Sequence, residues 1–146
     1  MEIAGKSSER FNTREGLNMA ISKEERKILL KAQQGELDAV KMYNALAKTV
    51  TDAKDAEVFR QLAAEEGGHA AVFKAMTDQV LQPKNTKAIL LPILYRVVGK
   101  KKLYPMIAKG EYDAEKKYIS VAARFAEVES VKNDEHRHGD MVMALL

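Results

Sequence analysis

Two of the three histidines in this chain stand three residues after a glutamate: His69 after Glu66, and His138 after Glu135. On an α-helix that spacing separates two side chains by about 60° around the axis and about 4.5 Å along it. One carboxylate oxygen and one imidazole nitrogen can then meet one metal ion, and the second carboxylate oxygen can bridge to another. Upstream of each pair the form G-E-x-D-A-x-K-x-Y occurs, as Gly35 to Tyr43 and as Gly110 to Tyr118, with agreement at six of nine positions. Each copy supplies one lone glutamate, Glu36 or Glu111. Each is followed by [D/E]-E-x-x-H, first as Glu65 to His69 and then as Asp134 to His138. The chain therefore reads as two related halves. Together they offer four carboxylates and two imidazoles, the inventory of a dinuclear metal site in the core of a four-helix bundle. This N/O donor set suits iron or manganese. Four carboxylates nearly balance two divalent ions; without a cation they would repel one another and lose hydration. A structural zinc site is the weaker reading, because the set is so rich in carboxylates.

The elements that must position these residues are helices. Ser22 with Glu25 is a capping-box signature, so a first helix starts there. Its apolar stripe runs through Leu29, Ala32, Leu37, Val40, Leu46 and Val50, with Glu36 and Tyr43 on the same side. Thr51-Asp52 reads as a turn and cap. A second helix follows through Val58, Phe59, Leu62, Glu66, His69, Phe73, Met76 and Val80. Gly67-Gly68 costs it roughly 1 kcal/mol per residue against Ala, which implies a close backbone approach at that point. Pro83, Pro92 and Gly99 then interrupt an apolar run from Ile89 to Val98. Residues 82–102 are read as a long crossover containing a short helix. A third helix is expected to begin near Leu103 to Pro105, since Pro suits a first turn, and to carry Ile107, Glu111, Ala114, Tyr118 and Val121. After a turn near residues 122–127, a fourth carries Val128, Val131, Glu135, His138, Val142 and Leu145. The expected fold is an all-α four-helix bundle with a long crossover between helices 2 and 3.

Composition narrows the classes. At 146 residues this is one domain's worth of chain, and 46% hydrophobic with 31% charged residues and three Pro suits a helical protein. Residues 1–20 read as a flexible N-terminal tail, and 21–146 as the folded domain. The absence of cysteine excludes disulfides, thiolate metal sites and a catalytic thiol. With no recognisable signal peptide, the expected location is the cytoplasm. A net charge of +3 does not argue for nucleic acid, and no nucleic-acid partner is expected. No run of 18 apolar residues exists to span a membrane. Between Asp78 and Glu111, however, there is no acidic residue, and Lys84, Lys87, Arg96, Lys100, Lys101, Lys102 and Lys109 accumulate among apolar positions. Residues 84–102 are thus a candidate for contact with a membrane surface, against the plainer reading of a crossover packed on the bundle with a solvated Lys face.

Tyr43 and Tyr118, each seven residues after a lone glutamate, read as amphipathic core residues with a satisfied hydroxyl, as hydrogen-bond partners of a ligand glutamate or, less readily, as redox-active phenols. Asp38 and Asp113 are placed either to orient a histidine on a neighbouring helix or to form salt bridges. His136 should face away from the site.

The order Glu, Glu-x-x-His, crossover, Glu, Glu-x-x-His resembles the ferritin-like di-iron proteins. Glu65-Glu66-Gly67-Gly68-His69-Ala70 with Phe73, and Gly110-Glu111 in the third helix, are most similar to rubrerythrins. The resemblance covers residues 22–146. It implies a ferritin-like bundle holding two iron ions, with manganese as the other candidate. Glu36 and His69 would bind one ion, Glu111 and His138 the other, and Glu66 and Glu135 would bridge them. It also implies reduction of peroxide or dioxygen coupled to oxidation of ferrous iron. Two departures matter. Rubrerythrins commonly carry a second glutamate three residues after the third-helix glutamate, where this chain has Ala114, with Glu115 one residue off. They also often carry a cysteine-rich electron-relay domain; this chain has no cysteine, so electrons would come from a separate donor protein. The apolar crossover is similar as well to ferritin-like domains fused to membrane iron transporters, and to the di-iron hydroxylase of ubiquinone synthesis. An iron-handling or iron-sensing module, or a hydroxylase of a lipid-like substrate, are therefore the alternative functions. A homodimer is expected, with apolar residues of the crossover as its surface.

Overall fold

A computed structural model describes residues 21–146; the expected N-terminal tail lies outside them. The described residues form five helices and no strand: α1 (Lys23–Thr49), α2 (Ala53–Thr77), α3 (Thr86–Val98), α4 (Lys100–Ala122) and α5 (Ala126–Met143). The all-α bundle with a crossover is what the sequence implies. Helices α1 and α2 form one hairpin, α4 and α5 the other, and α3 crosses between them along α1.

Local chemistry sets most boundaries. Glu25 N–H donates to Ser22 Oγ at 3.1 Å and Ser22 N–H to Glu25 Oε1 at 3.3 Å, closing the capping box. Asp52 caps α2 by accepting from the backbone N–H of Lys54 and Asp55. The end of α2 differs from expectation. The helix stops at Thr77 because Asp78 turns left-handed (φ 52°), so Val80 is exposed rather than part of the stripe. The chain leaving α2 is tied down by α1 side chains. Gln33 Nε2 donates to the Gln79 carbonyl at 2.8 Å, Gln34 Nε2 to that of Gln82 at 2.9 Å, and Asp38 accepts from Lys84 N–H at 2.7 Å. Asp38 thus anchors the crossover, and Asp113 pairs with Lys109 at 2.6 Å; neither orients a histidine.

The crossover is mostly helix. Helix α3 keeps Pro92 inside it, buried, at the cost of one rung of the backbone ladder. Helix α4 begins at Lys100, earlier than expected. The break falls at Gly99, whose φ of 74° suits glycine alone, and Pro105 sits in the second turn instead of starting the helix. The Gly67-Gly68 expectation also fails. Both glycines are exposed; a Cβ at Gly68 would meet nothing within 4 Å, and one at Gly67 only a Val40 methyl at 4.0 Å. The close approach is at Gly139 on α5, where a Cβ would come within 2.7–2.8 Å of Cζ and Cδ1 of Tyr112.

Two apolar clusters fill the bundle. One joins Tyr43, Leu46, Phe59, Leu62, Leu103, Tyr104 and Val142. The other joins Leu29, Phe73, Met76, Tyr118, Val121, Val128 and Val131. The buried polar residues that follow lie between these clusters in sequence along every long helix. Helices α1 and α4 run in opposite directions, since residue 43 meets 111 and residue 36 meets 118.

Candidate metal centre

Each long helix delivers its polar residue to the same level of the bundle. Glu36 from α1, Glu66 and His69 from α2, Glu111 from α4, and Glu135 and His138 from α5 are all buried. Single ligand atoms of Glu66, His69, Glu135 and His138 lie within 4.8 Å of one another. His69 Nδ1 is 3.1 Å from Glu66 Oε2, 3.0 Å from Glu135 Oε1 and 3.7 Å from Glu36 Oε2. His138 Nδ1 is 3.3 Å from Glu66 Oε1 and 3.7 Å from Glu135 Oε1. The two imidazoles stack at 5.2 Å between centroids and 20° between planes. Glu66 and Glu135 each reach both histidines. Glu36 approaches His69, whereas no ion pair joins Glu111 to His138 among the described residues.

Glu36 and Glu111 are held from across the bundle. Tyr118 O–H donates to Glu36 Oε1 at 2.6 Å, and Tyr43 O–H donates to Glu111 Oε1. Each half of the sequence therefore clamps the lone glutamate of the other. Burial and the facing carboxylates push both phenols well above the usual tyrosine range, so they stay donors.

The outward nitrogens have partners that the sequence reading did not single out. His69 Nε2 lies 2.9 Å from Asp134 Oδ2, and His138 Nε2 lies 3.6 Å from Glu65 Oε2. Asp134 and Glu65 are the first acids of the two [D/E]-E-x-x-H motifs, and each faces the histidine of the other motif. The signal was that shared acid. Arg137 links the pair, donating to Glu65 Oε1 at 2.6 Å and to Asp134 Oδ1 at 3.1 Å. The Asp134 carboxylate on its outer nitrogen fixes the His69 imidazole so that Nδ1 faces the centre; Glu65, at 3.6 Å, makes no hydrogen bond to His138.

His136 is exposed, 2.8 Å from Glu115 Oε2 and 3.5 Å from Asp140 Oδ2. Glu115 is thereby drawn away from the centre. It does not replace the carboxylate absent at Ala114.

Electrostatics show what the donor set requires. Burial pushes Glu135 up to about 9 and Glu66 up to about 12, the latter aided by Glu36, and burial raises Glu111 as well. Glu36 moves down: burial opposes ionisation there, but hydrogen bonds with Glu66, His69 and Tyr118 outweigh it. Burial alone would discharge His69, yet Glu135, Glu36 and Glu66 hold its proton far above the usual range. Burial and the His69 charge then push His138 down to about 4. Both ring nitrogens of His138 make no hydrogen bond although buried. Buried polar atoms without partners are rare. Here they are imidazole nitrogens facing a carboxylate cluster short of positive charge, which fits a cation site.

A protein-family model described as Rubrerythrin matches residues 27–146, which take in all six buried Glu and His residues. No curated protein and no solved structure matches the chain.

Proposed function

The chain belongs to the rubrerythrin family, and we propose on that premise that it is a non-haem di-iron oxidoreductase reducing peroxide or dioxygen. Glu36, Glu66, His69, Glu111, Glu135 and His138 would hold two metal ions, iron by preference and manganese as the other candidate for an N/O set. When bound, the two ions supply the electrons for reduction, each cycling between divalent and trivalent states. The observation that carries this reading is the mutual approach of Glu66, His69, Glu135 and His138, buried and with donor atoms left unpaired.

The chain's own residues do the rest. Asp134 steadies the His69 imidazole, and Tyr43 and Tyr118 steady Glu111 and Glu36. Apolar clusters close the bundle above and below the centre along the helix axes. With Ala114 in place of a seventh ligand and Glu115 turned outward, the chain has no spare carboxylate there to follow an ion that moves. This favours a fixed pair of ions. Without cysteine in the chain, electrons are proposed to come from a separate donor protein.

Helix α3 supports a second element of the proposal, contact with an anionic membrane surface. Its outward side exposes Ile89, Ile93 and Val97, a row at i, i+4 and i+8, with Leu90 alongside. Basic residues flank it, and none of the chain between Asp78 and Glu111 is acidic. Dimerisation through this face is the weaker reading, because a symmetric interface would bring the same cations together. No described helix is long and apolar enough to cross a membrane.

Rapid mixing of the ferrous-loaded protein with peroxide or with dioxygen tests the activity. Faster oxidation by peroxide assigns a peroxidase, and the reverse an oxidase or iron-handling role. Failure of both oxidants to change the iron spectrum would refute the proposal.

A further inference from the structure

A cavity of about 740 Å³ opens between α1 and α4 under the edge of α3. This lies within the usual range for small-molecule sites, roughly 300–1,000 Å³. Its floor is the centre itself: Glu36, Glu66, Glu111 and Glu135 all line it. Glu135 is only 2% exposed, and its Oε1 lies 3.0 Å from His69 Nδ1.

The repeated motif explains why the cleft is open. Each copy places a glycine and an alanine four residues apart, Gly35 with Ala39 on α1 and Gly110 with Ala114 on α4, and all four line the cavity. The two helices face each other across these small residues. A Cβ built at Gly35 or at Gly110 would meet nothing within 4 Å. The motif thus carries a window beside each lone glutamate, besides the glutamate itself.

The cleft has two unlike ends. Because α1 and α4 are antiparallel, Lys31 and Lys117 both lie toward one end of the cleft; Lys87 lines it from the start of α3, which Asp38 holds beside the middle of the α1 wall through Lys84. None of these lysines forms an ion pair with another described residue. At the other end Met42, Ile107, Leu91 and Leu94 make an apolar chamber beneath α3. From Lys31 to Met42 the α1 wall is about 16 Å long at 1.5 Å per residue. The carboxylates lie between the ends.

We propose that this cleft binds a single-chain amphiphile with an anionic head, of the fatty-acid class. The head lies at Lys31 and Lys117, and the tail lies under α3. The middle of the chain, on the order of a dozen carbons for such a length, passes over the buried carboxylates. The inference deepens the di-iron reading by naming an organic ligand for the same site, and it rests on that reading only for what happens to the bound chain.

Titration calorimetry with laurate and with dodecyltrimethylammonium, which share a tail and differ in head charge, tests it below their micelle concentrations. Metal-free and iron-loaded protein are both titrated. One laurate per chain is expected, bound about tenfold more tightly than the cation. Gly110→Leu and Gly35→Leu put a side chain into open space, and each should weaken laurate about tenfold with unchanged circular dichroism. Should either fail to fold, the Lys31→Glu/Lys117→Glu double variant serves, and it should abolish the preference for laurate over the cation. Absence of saturable laurate binding overturns the proposal. So does binding that the glycine variants and the lysine variant all leave intact, which would be adsorption on the outer face of α3. A chain that takes laurate but no iron keeps the cleft and loses the di-iron reading; one that takes two irons but no laurate does the reverse.

Discussion

His69 and His138 occupy matching places in two copies of one motif, and their environments differ sharply. His69 Nδ1 has three carboxylates within 3.7 Å and its Nε2 has Asp134 at 2.9 Å, so it holds a proton. His138, completely buried, has no hydrogen bond at either nitrogen and stays neutral, its pKa pushed down to about 4. A repeated sequence has repeated the geometry without repeating the charge. Four carboxylates in one buried space draw in a single imidazolium, and that charge excludes a second one 5.2 Å away. Two metal ions would remove the asymmetry by supplying the positive charge from outside the chain.

The largest effect that could break this comparison is on the stability of the metal-free protein. Removing His69 leaves buried carboxylates without their counter-charge and should cost about 3–5 kcal/mol in urea unfolding as His69→Ala. His138→Ala loses packing but no hydrogen bond and should cost less, about 1–2 kcal/mol. Equal losses would mean that the two sites are electrostatically alike.

The pH dependence sharpens the same point. Glu135 keeps its proton to about 9 when folded, against 4.5 as the ordinary value. The folded state therefore binds more protons across that window, and stability falls as pH rises, by about 1.4 kcal/mol per unit for each such group. His138 runs the other way. With its pKa at about 4 instead of 6.5, the unfolded chain binds more protons between those values, and stability rises with pH there. The melting temperature of metal-free protein should thus fall more steeply above pH 6.5 than below it. Loaded protein should show no such fall, because ligand deprotonation favours the metal. Parallel profiles with and without metal would contradict this.

Next in size is the outer carboxylate of each histidine. Asp134→Asn should lower iron affinity about 10–100-fold in competition with a chelator. Glu65→Gln should do less, since Glu65 stands 3.6 Å from His138 and is engaged mainly with Arg137. A larger effect at Glu65 would reverse the assignment. The smallest effect belongs to Glu115→Gln. Glu115 faces His136 at the surface, so iron per chain should not change; a lost iron would place Glu115 in the centre after all.

What was legible in the sequence was what repeats or is local. The capping box at Ser22, the cap at Asp52 and the helical spacing of Glu66 with His69 depend on neighbours within four residues. The burial of all six Glu and His residues followed from their apolar stripes. Relations between helices were less accessible. Spacing gave no sign that Asp134 reaches His69 on α2, or that Tyr43 bonds the glutamate of the other half, because both depend on how α1, α4 and the α2–α5 pair meet. Pro105 points to a helix start near itself, whereas the positive φ at Gly99 decides the boundary of α4. At Gly67-Gly68 the helix-propensity cost implies contact, but the pair lies in an exposed stretch and contributes no packing.

The most direct test of the central claim is iron per chain, with the optical spectrum, in protein purified without added metal, beside Glu66→Ala and Glu135→Ala. Two irons per chain with a ferric absorption that both variants lose is the result expected of carboxylates shared by both ions. Stoichiometric zinc, or no metal, with both variants as well folded as the parent, would contradict it.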